Sequence, residues 1–66
     1  MILREITKEV RGNLKCVIFQ DEVYDEYVCR FYKDGYLLET SSECVDDIED
    51  ALRIARNYTR QCRGIS

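Results

Sequence analysis

Histidine, proline and tryptophan are absent from this chain, and glycine occurs only three times in 66 residues. Without histidine the commonest general base is missing, and zinc loses one of its two usual ligand types. The lack of proline, together with many β-branched and aromatic residues, fits an ordered domain rather than a disordered tail. No Gly-x-Ser-x-Gly, phosphate loop or dinucleotide fingerprint occurs. The Asp-x-Asp-x-Asp-Gly spacing of a calcium loop is also missing. Paired carboxylates exist, but so short a chain has little room to bury a pocket that perturbs them. The expectation is a protein that is not an enzyme and carries no cofactor and no metal.

Long apolar runs are lacking too. No stretch is long enough to span a bilayer, and Met1-Ile2-Leu3 is interrupted at once by Arg4 and Glu5, which does not suit a signal peptide. A cytoplasmic protein without membrane contact is expected. Cys16, Cys29, Cys44 and Cys62 are scattered with no Cys-x-x-Cys pair. Three of them lie within apolar patterns, where cysteine behaves as a small hydrophobe. Buried thiols are the leading expectation. A disulfide pair is an alternative, and so is a four-cysteine zinc site, although paired ligand spacing is missing.

What is present is a single small domain. Its clearest signal is Glu26 to Thr40, two alternating runs joined by Asp34-Gly35. That dipeptide tolerates positive φ at both central turn positions and favours a two-residue type I′ hairpin. The turn sets Lys33 opposite Tyr36. Tyr27, Cys29 and Phe31 then share a face with Ser42, Thr40 and Leu38, and Val28, Arg30 and Tyr32 share the other with Ser41, Glu39 and Leu37. The Phe31/Leu38 face is assigned to the core, and Arg30 and Glu39 become cross-strand partners.

Ile2 to Val10 reads as a first strand with Ile2, Ile6 and Val10 on one face. Gly12-Asn13 is a plausible tight turn into Leu14 to Gln20, the most apolar strand. That turn places Ile6 opposite Phe19 and Lys8 opposite Val17, with Ile6, Val10, Val17 and Phe19 on the core side. Leu14, Cys16 and Ile18 then point the other way, so both faces of a central strand want cover. Glu39 to Cys44 loses alternation and reads as a strand end plus loop. Asp46 is expected to cap a helix, with Glu49 completing a capping-box-like pattern. Ile48, Ala51, Leu52, Ala55, Tyr58 and Cys62 form its apolar face, and Gly64 is a natural stop. The predicted fold is α+β: a three- or four-stranded antiparallel meander with one C-terminal helix packed on one face. A three-stranded version with the N-terminus as an arm is the alternative.

The formal net charge of -3 hides a polarity. The first stretch is mildly basic, the middle is strongly acidic, and Arg53, Arg56, Arg60 and Arg63 follow without an acid among them. Three candidate surfaces result. The acidic edge is Asp21, Glu22, Tyr24, Asp25 and Glu26, where carboxylates on a stiff sheet edge imitate phosphate spacing and tyrosines add apolar contact. Against it stands the simpler reading of a solvated connection. A second surface is the sheet face of Val28, Tyr32 and Leu37, more apolar than a solvated face needs and suited to a partner or a homodimer. Its simpler reading is partial cover by a terminal segment or a neighbouring side chain. The third is the arginine stripe, which steps by three or four residues along one helix face and suits phosphate contact or an acidic groove. Its simpler reading is an exposed face that balances the helix dipole. Glu49 lies on the same stripe and is placed to pair with Arg53.

The segments YKDGYLLET and DDIEDALRIA, in that order, resemble the N-terminal sheet-plus-helix part of HicB-type antitoxins, over roughly Cys16 to Tyr58. The resemblance implies a helix with an acidic start packed on a three-stranded sheet. The family's proline-and-glycine motif and its C-terminal DNA-binding segment have no counterpart here, and no functional residue carries over. The same element order resembles the three-stranded DNA-binding domains of some phage integrases and plant transcription factors, which present arginine and tryptophan to the major groove. In type, the chain is similar to small accessory proteins of phages and mobile elements. The favoured reading is a protein-binding module, in its sharpest form an inhibitor that blocks a host nucleic-acid-binding protein through the acidic edge. The rivals are a nucleic-acid-binding module using the helix arginines and a homodimer.

Overall fold

The computed structural model describes residues 3–60. The strands are β1 (Leu3–Arg11), β2 (Leu14–Asp21), β3 (Glu26–Lys33), β4 (Tyr36–Leu37) and β5 (Glu43–Val45), followed by helix α1 (Ile48–Arg60). A single antiparallel sheet has the order β1-β2-β3-β4, and β5 also pairs with β3. The helix packs across β2, β1 and β3 on one face of that sheet. The architecture is therefore the α+β meander with a C-terminal helix that the alternation predicts. Ile2, Cys62, Arg63 and Gly64, assigned roles from sequence, lie outside the described residues.

The two tight turns behave as their residues require. Asp34 and Gly35 take φ of 55° and 85°, the paired positive φ of a type I′ turn. Lys33 pairs with Tyr36 and Tyr32 with Leu37, as expected. Gly12 supplies positive φ (61°) at the first position of the β1–β2 turn, where a side chain is disfavoured. The turns lie side by side. Asp34 N donates to Asn13 O at 2.9 Å, and Asn13 Nδ2 donates to Asp34 Oδ1 at 2.9 Å.

Beyond Leu37 the hairpin departs from the simple alternation. Leu38 N still donates to Phe31 O at 2.8 Å, but Glu39–Ser41 then form one 3₁₀ turn. Chain re-enters the sheet as β5, with Glu43, Cys44 and Val45 opposite Cys29, Val28 and Tyr27. The expected Arg30–Glu39 and Tyr27–Ser42 pairings are thereby replaced. The physical reason lies in ETSS, which offers no apolar side chain to hold a strand against the sheet.

Two further assignments are corrected. Lys8 does face Val17, but Glu5 rather than Ile6 faces Phe19, because a β-bulge between Glu5 and Thr7 inserts one residue into β1. The helix covers the opposite face of β2 from the one expected. Cys16, Ile18, Cys29, Phe31, Ala51 and Ala55 make the core, with Tyr27, Leu38, Val45, Ile48, Leu52, Ile54 and Tyr58 packed around it. Strand β2 is apolar on both faces, so its pattern alone does not choose. Small Ala51 and Ala55 let the helix backbone approach the face shared by Cys16 and Cys29, and that closeness decides. Cys29 Sγ lies 3.9 Å from Ala51 O.

Helix α1 begins one residue later than the sequence suggests. Asp47 is the N-cap: its Oδ1 accepts from Glu49 N at 3.0 Å, and its carbonyl accepts from Ala51 N at 3.1 Å. Such a cap contributes about 1 kcal/mol. At the other end Tyr58 leans on Phe31, ring centroids 4.8 Å apart, and its hydroxyl donates to Tyr32 O at 2.9 Å. Thr59, buried under the last turn, donates its hydroxyl to the Ala55 and Arg56 carbonyls at 3.1 and 3.2 Å. Among the described residues no helix is long and apolar enough to cross a membrane.

Candidate interaction surfaces

The acidic edge falls on the β2–β3 connection, where its members part company. Asp21 is only 6% exposed. Its Oδ1 accepts from Val23 N at 2.9 Å and Tyr24 N at 3.3 Å. Aspartate at this position binds the backbone two residues on and so shapes the turn, which leaves it no outward carboxylate. Glu22 Oε2 lies 3.5 Å from Arg4 Nε. Asp25 adopts left-handed backbone, φ 56°, which aspartate tolerates better than most residues. Glu26 is half-buried at the start of β3. Val23 and Tyr24, 60% and 70% exposed, are the groups that project from the tip. The phosphate-like row of carboxylates expected from the sequence is thus reduced to Glu22 and Asp25, with Glu26 behind them.

Arg53, Arg56 and Arg60 line one hollow along α1 with Glu49, Leu52 and Asn57, so these three members of the arginine stripe share a face as expected. Arg53 Nη2 meets Asp50 Oδ1 at 2.7 Å, one turn back, so Asp50 rather than Glu49 is its partner. Arg56 and Arg60 also border the end of β1. There they line a shallow hollow with Glu9, Val10, Arg11 and Thr59. Arg11 was not part of the stripe; the tertiary fold adds it. Arg63 lies outside the described residues.

The third surface is larger than its sequence version. Register places three rows on the sheet face that turns away from α1. Val10, Lys15, Tyr32 and Leu37 form one row; Lys8, Val17 and Arg30 form the next; Glu5, Phe19, Val28 and Cys44 form the third. Among the described residues no element covers this face. Val17 is nevertheless only 5% exposed. Two neighbouring rings carry cations on them: Arg30 Cζ sits 5.2 Å from the Phe19 centroid, and Lys15 Nζ sits 4.7 Å from that of Tyr32. Long cationic stems cover apolar surface while their heads stay in water, and each such contact contributes about 0.5–1 kcal/mol at exposed sites.

Val28, Arg30, Tyr32 and Leu37 therefore do lie on one face, as expected, but in the company of Phe19, Lys8 and Lys15. Sequence reading missed this cluster because it placed Val17 and Phe19 on the core side. The signal was present in the expectation that both faces of β2 want cover. Following Lys8 opposite Val17 across to β3 would have brought Arg30 into the same row.

The cysteines have different settings. Cys16 and Cys29 are fully buried, and Cys44 is exposed on β5; all three are free thiols. A hydrogen-bond interaction with Cys29, then burial, pushes the Cys16 thiol far above its ordinary value. Burial also raises the Tyr58 hydroxyl. Both groups stay protonated in the fold at neutral pH, and neither is poised as a nucleophile. Among the described residues no group of three or more His, Cys, Asp or Glu side chains is placed to hold a metal ion. No protein-family model matches the chain, and comparisons with curated proteins and with solved structures return no significant similarity.

Proposed function

We propose that this chain is a non-enzymatic protein-binding module whose contact surface is the uncovered sheet face. What carries the reading is the juxtaposition there of Phe19, Val28, Tyr32 and Leu37 with Lys8, Lys15 and Arg30. Aromatic residues and arginine dominate the energetics of protein interfaces, and an apolar centre with a charged rim is their usual anatomy. The partner that fits is a protein surface with an apolar patch bordered by carboxylates. The same cations lie on the ring faces that would otherwise stack bases, which favours protein over single-stranded nucleic acid. We place the module in the cytoplasm, in keeping with its free thiols.

The inhibitor reading is a narrower form, in which the tip competes with nucleic acid for a basic target surface. Asp21 is engaged by the turn and Glu22 faces Arg4, so this form relies on Asp25, Glu26 and Tyr24. The deciding experiment captures partners from nuclease-treated host lysate on the immobilised chain and on two folded variants. Loss of the wild-type partner in Arg30→Glu, with retention in Asp25→Lys, is the expected result. The reverse pattern would move the contact to the tip.

A second reading has its own observation. Arg56, Arg60 and Arg11 converge where α1 meets the end of β1, which suits phosphate contact. It predicts binding to duplex DNA or RNA that weakens steeply with salt and disappears in Arg56→Ala/Arg60→Ala. Absence of binding at low salt removes it.

A further inference from the structure

Among the described residues, strand β1 is the outer edge of the sheet, and its nine residues have a strand neighbour on one side only. Ile6 and Val10 on this edge are 39% and 59% exposed. A charged, bulged edge ordinarily discourages pairing with another chain. Here the charges have an unusual order: residues 3–10 read Leu-Arg-Glu-Ile-Thr-Lys-Glu-Val. Read against itself in the opposite direction, the segment sets Leu3 against Val10, Ile6 against Thr7 and each charge against its opposite.

The bulge makes that alignment possible. In a regular strand, a two-fold axis perpendicular to the sheet pairs residues separated by an even number of positions, because only those share a face. Applied to β1, such pairing sets Arg4 against Lys8 or Glu5 against Glu9, both repulsive. The extra residue at Ile6–Thr7 shifts the alternation. Glu5 and Lys8 now stand opposite Phe19 and Val17, both on the uncovered face, while Arg4 and Glu9 stand opposite Gln20 and Cys16, both on the helix side. Residues separated by an odd number of positions across the bulge therefore share a face.

We propose that β1 pairs antiparallel with β1 of a second copy of this chain, about a two-fold axis between Ile6 and Thr7. Each half of this interface places Leu3 opposite Val10, Arg4 opposite Glu9, Glu5 opposite Lys8 and Ile6 opposite Thr7 of the other copy. A closed two-fold contact uses the same patch twice, so every pair occurs twice and the two sheets become one. The uncovered faces of both copies then lie on the same side of that joined sheet. The inference does not rest on the protein-binding reading above, and its test reads mass rather than partner capture.

Arg4 already contacts Glu22, so Glu5 and Lys8 are the cleaner probes. Sedimentation of wild type from micromolar to millimolar concentration should show a monomer–dimer equilibrium, the dimer having twice the 7.8 kDa chain mass. Lys8→Glu and Glu5→Lys should each weaken dimerisation by about tenfold or more, since like charges then meet twice. Circular dichroism checks that each variant is folded. Mixed in equal amounts, the two variants should form a heterodimer, because all facing charges are again opposite; native mass spectrometry identifies one chain of each. A wild type that stays monomeric throughout overturns the proposal. So does a single variant that dimerises as wild type, or a mixture of variants that remains monomeric.

Discussion

The two faces of this sheet keep apolar residues dry by different means. On one, Cys16, Ile18, Cys29 and Phe31 meet a helix whose contact residues include Ala51 and Ala55. Small side chains on both sides allow close approach, and dispersion contacts accumulate. On the other, Val17 is almost as buried with none of the described elements layered over it. Its row neighbours are Lys8 and Arg30, and the cations of Arg30 and Lys15 sit on adjacent rings. Burial by a packed layer is rigid and cooperative. Burial beneath long charged side chains can be opened by rotamer changes alone. That difference is why the second face is the better candidate for binding.

The largest effect separating the faces is a paired truncation. Ile18→Ala removes a fully buried side chain from the covered face and should cost about 2–5 kcal/mol. In a domain this small that is enough to unfold most of the population. Val17→Ala, one residue away, should cost roughly 1–2 kcal/mol, because flexible neighbours relax into the space. Urea denaturation measures both. Equal losses would mean that the uncovered face is packed as rigidly as the core, and the comparison would fail.

Next in size is the pH dependence of the covered face. The Cys16 thiol is raised in the fold, whereas in the unfolded chain it ionises near the ordinary value of about 8.5. The native state therefore holds a proton that the unfolded state loses. Its contribution is fully present below that value and declines as pH rises above it, by roughly 1.4 kcal/mol per pH unit. Urea midpoints of wild type and Cys16→Ala/Cys29→Ala should diverge in slope between pH 9 and 10, the variant falling less steeply. Both thiols are removed because the Cys29 thiol, lowered by its hydrogen bond to Cys16, would itself rise through burial on losing that partner. Parallel slopes would show that Cys16 does not carry the effect.

The smallest effect belongs to the uncovered face. Arg30→Met keeps the stem and removes the charge over Phe19. It should change stability by about 0.5–1 kcal/mol or less while weakening partner capture severalfold. A larger stability loss with unchanged capture would make Arg30 structural.

Much of the fold was readable from the chain. The Asp34-Gly35 turn, the Lys33–Tyr36 and Lys8–Val17 pairings, the helix and its apolar stripe all follow from local rules. So did the placing of Phe31 toward the core. The sites were less readable. Asp21 and Glu22 look alike as exposed acids in sequence, and only the turn separates a buried aspartate that binds backbone from a surface glutamate. Arg53 and Arg56 line one hollow, as their periodicity implies, but only the fold shows that Arg53 meets Asp50 and that Arg56 also reaches the end of β1.

By itself the sequence determined the elements that depend on neighbours along the chain: turns that need positive φ, a helix that needs a cap, strands that need alternation. Only the tertiary structure decided which face of β2 the helix covers, where β1 bulges, and which cations gather on the open face. Both faces of β2 are apolar, so alternation gives two nearly equivalent answers. The choice is made by how closely Ala51 and Ala55 bring the helix to Cys16 and Cys29, a distance that no local pattern encodes.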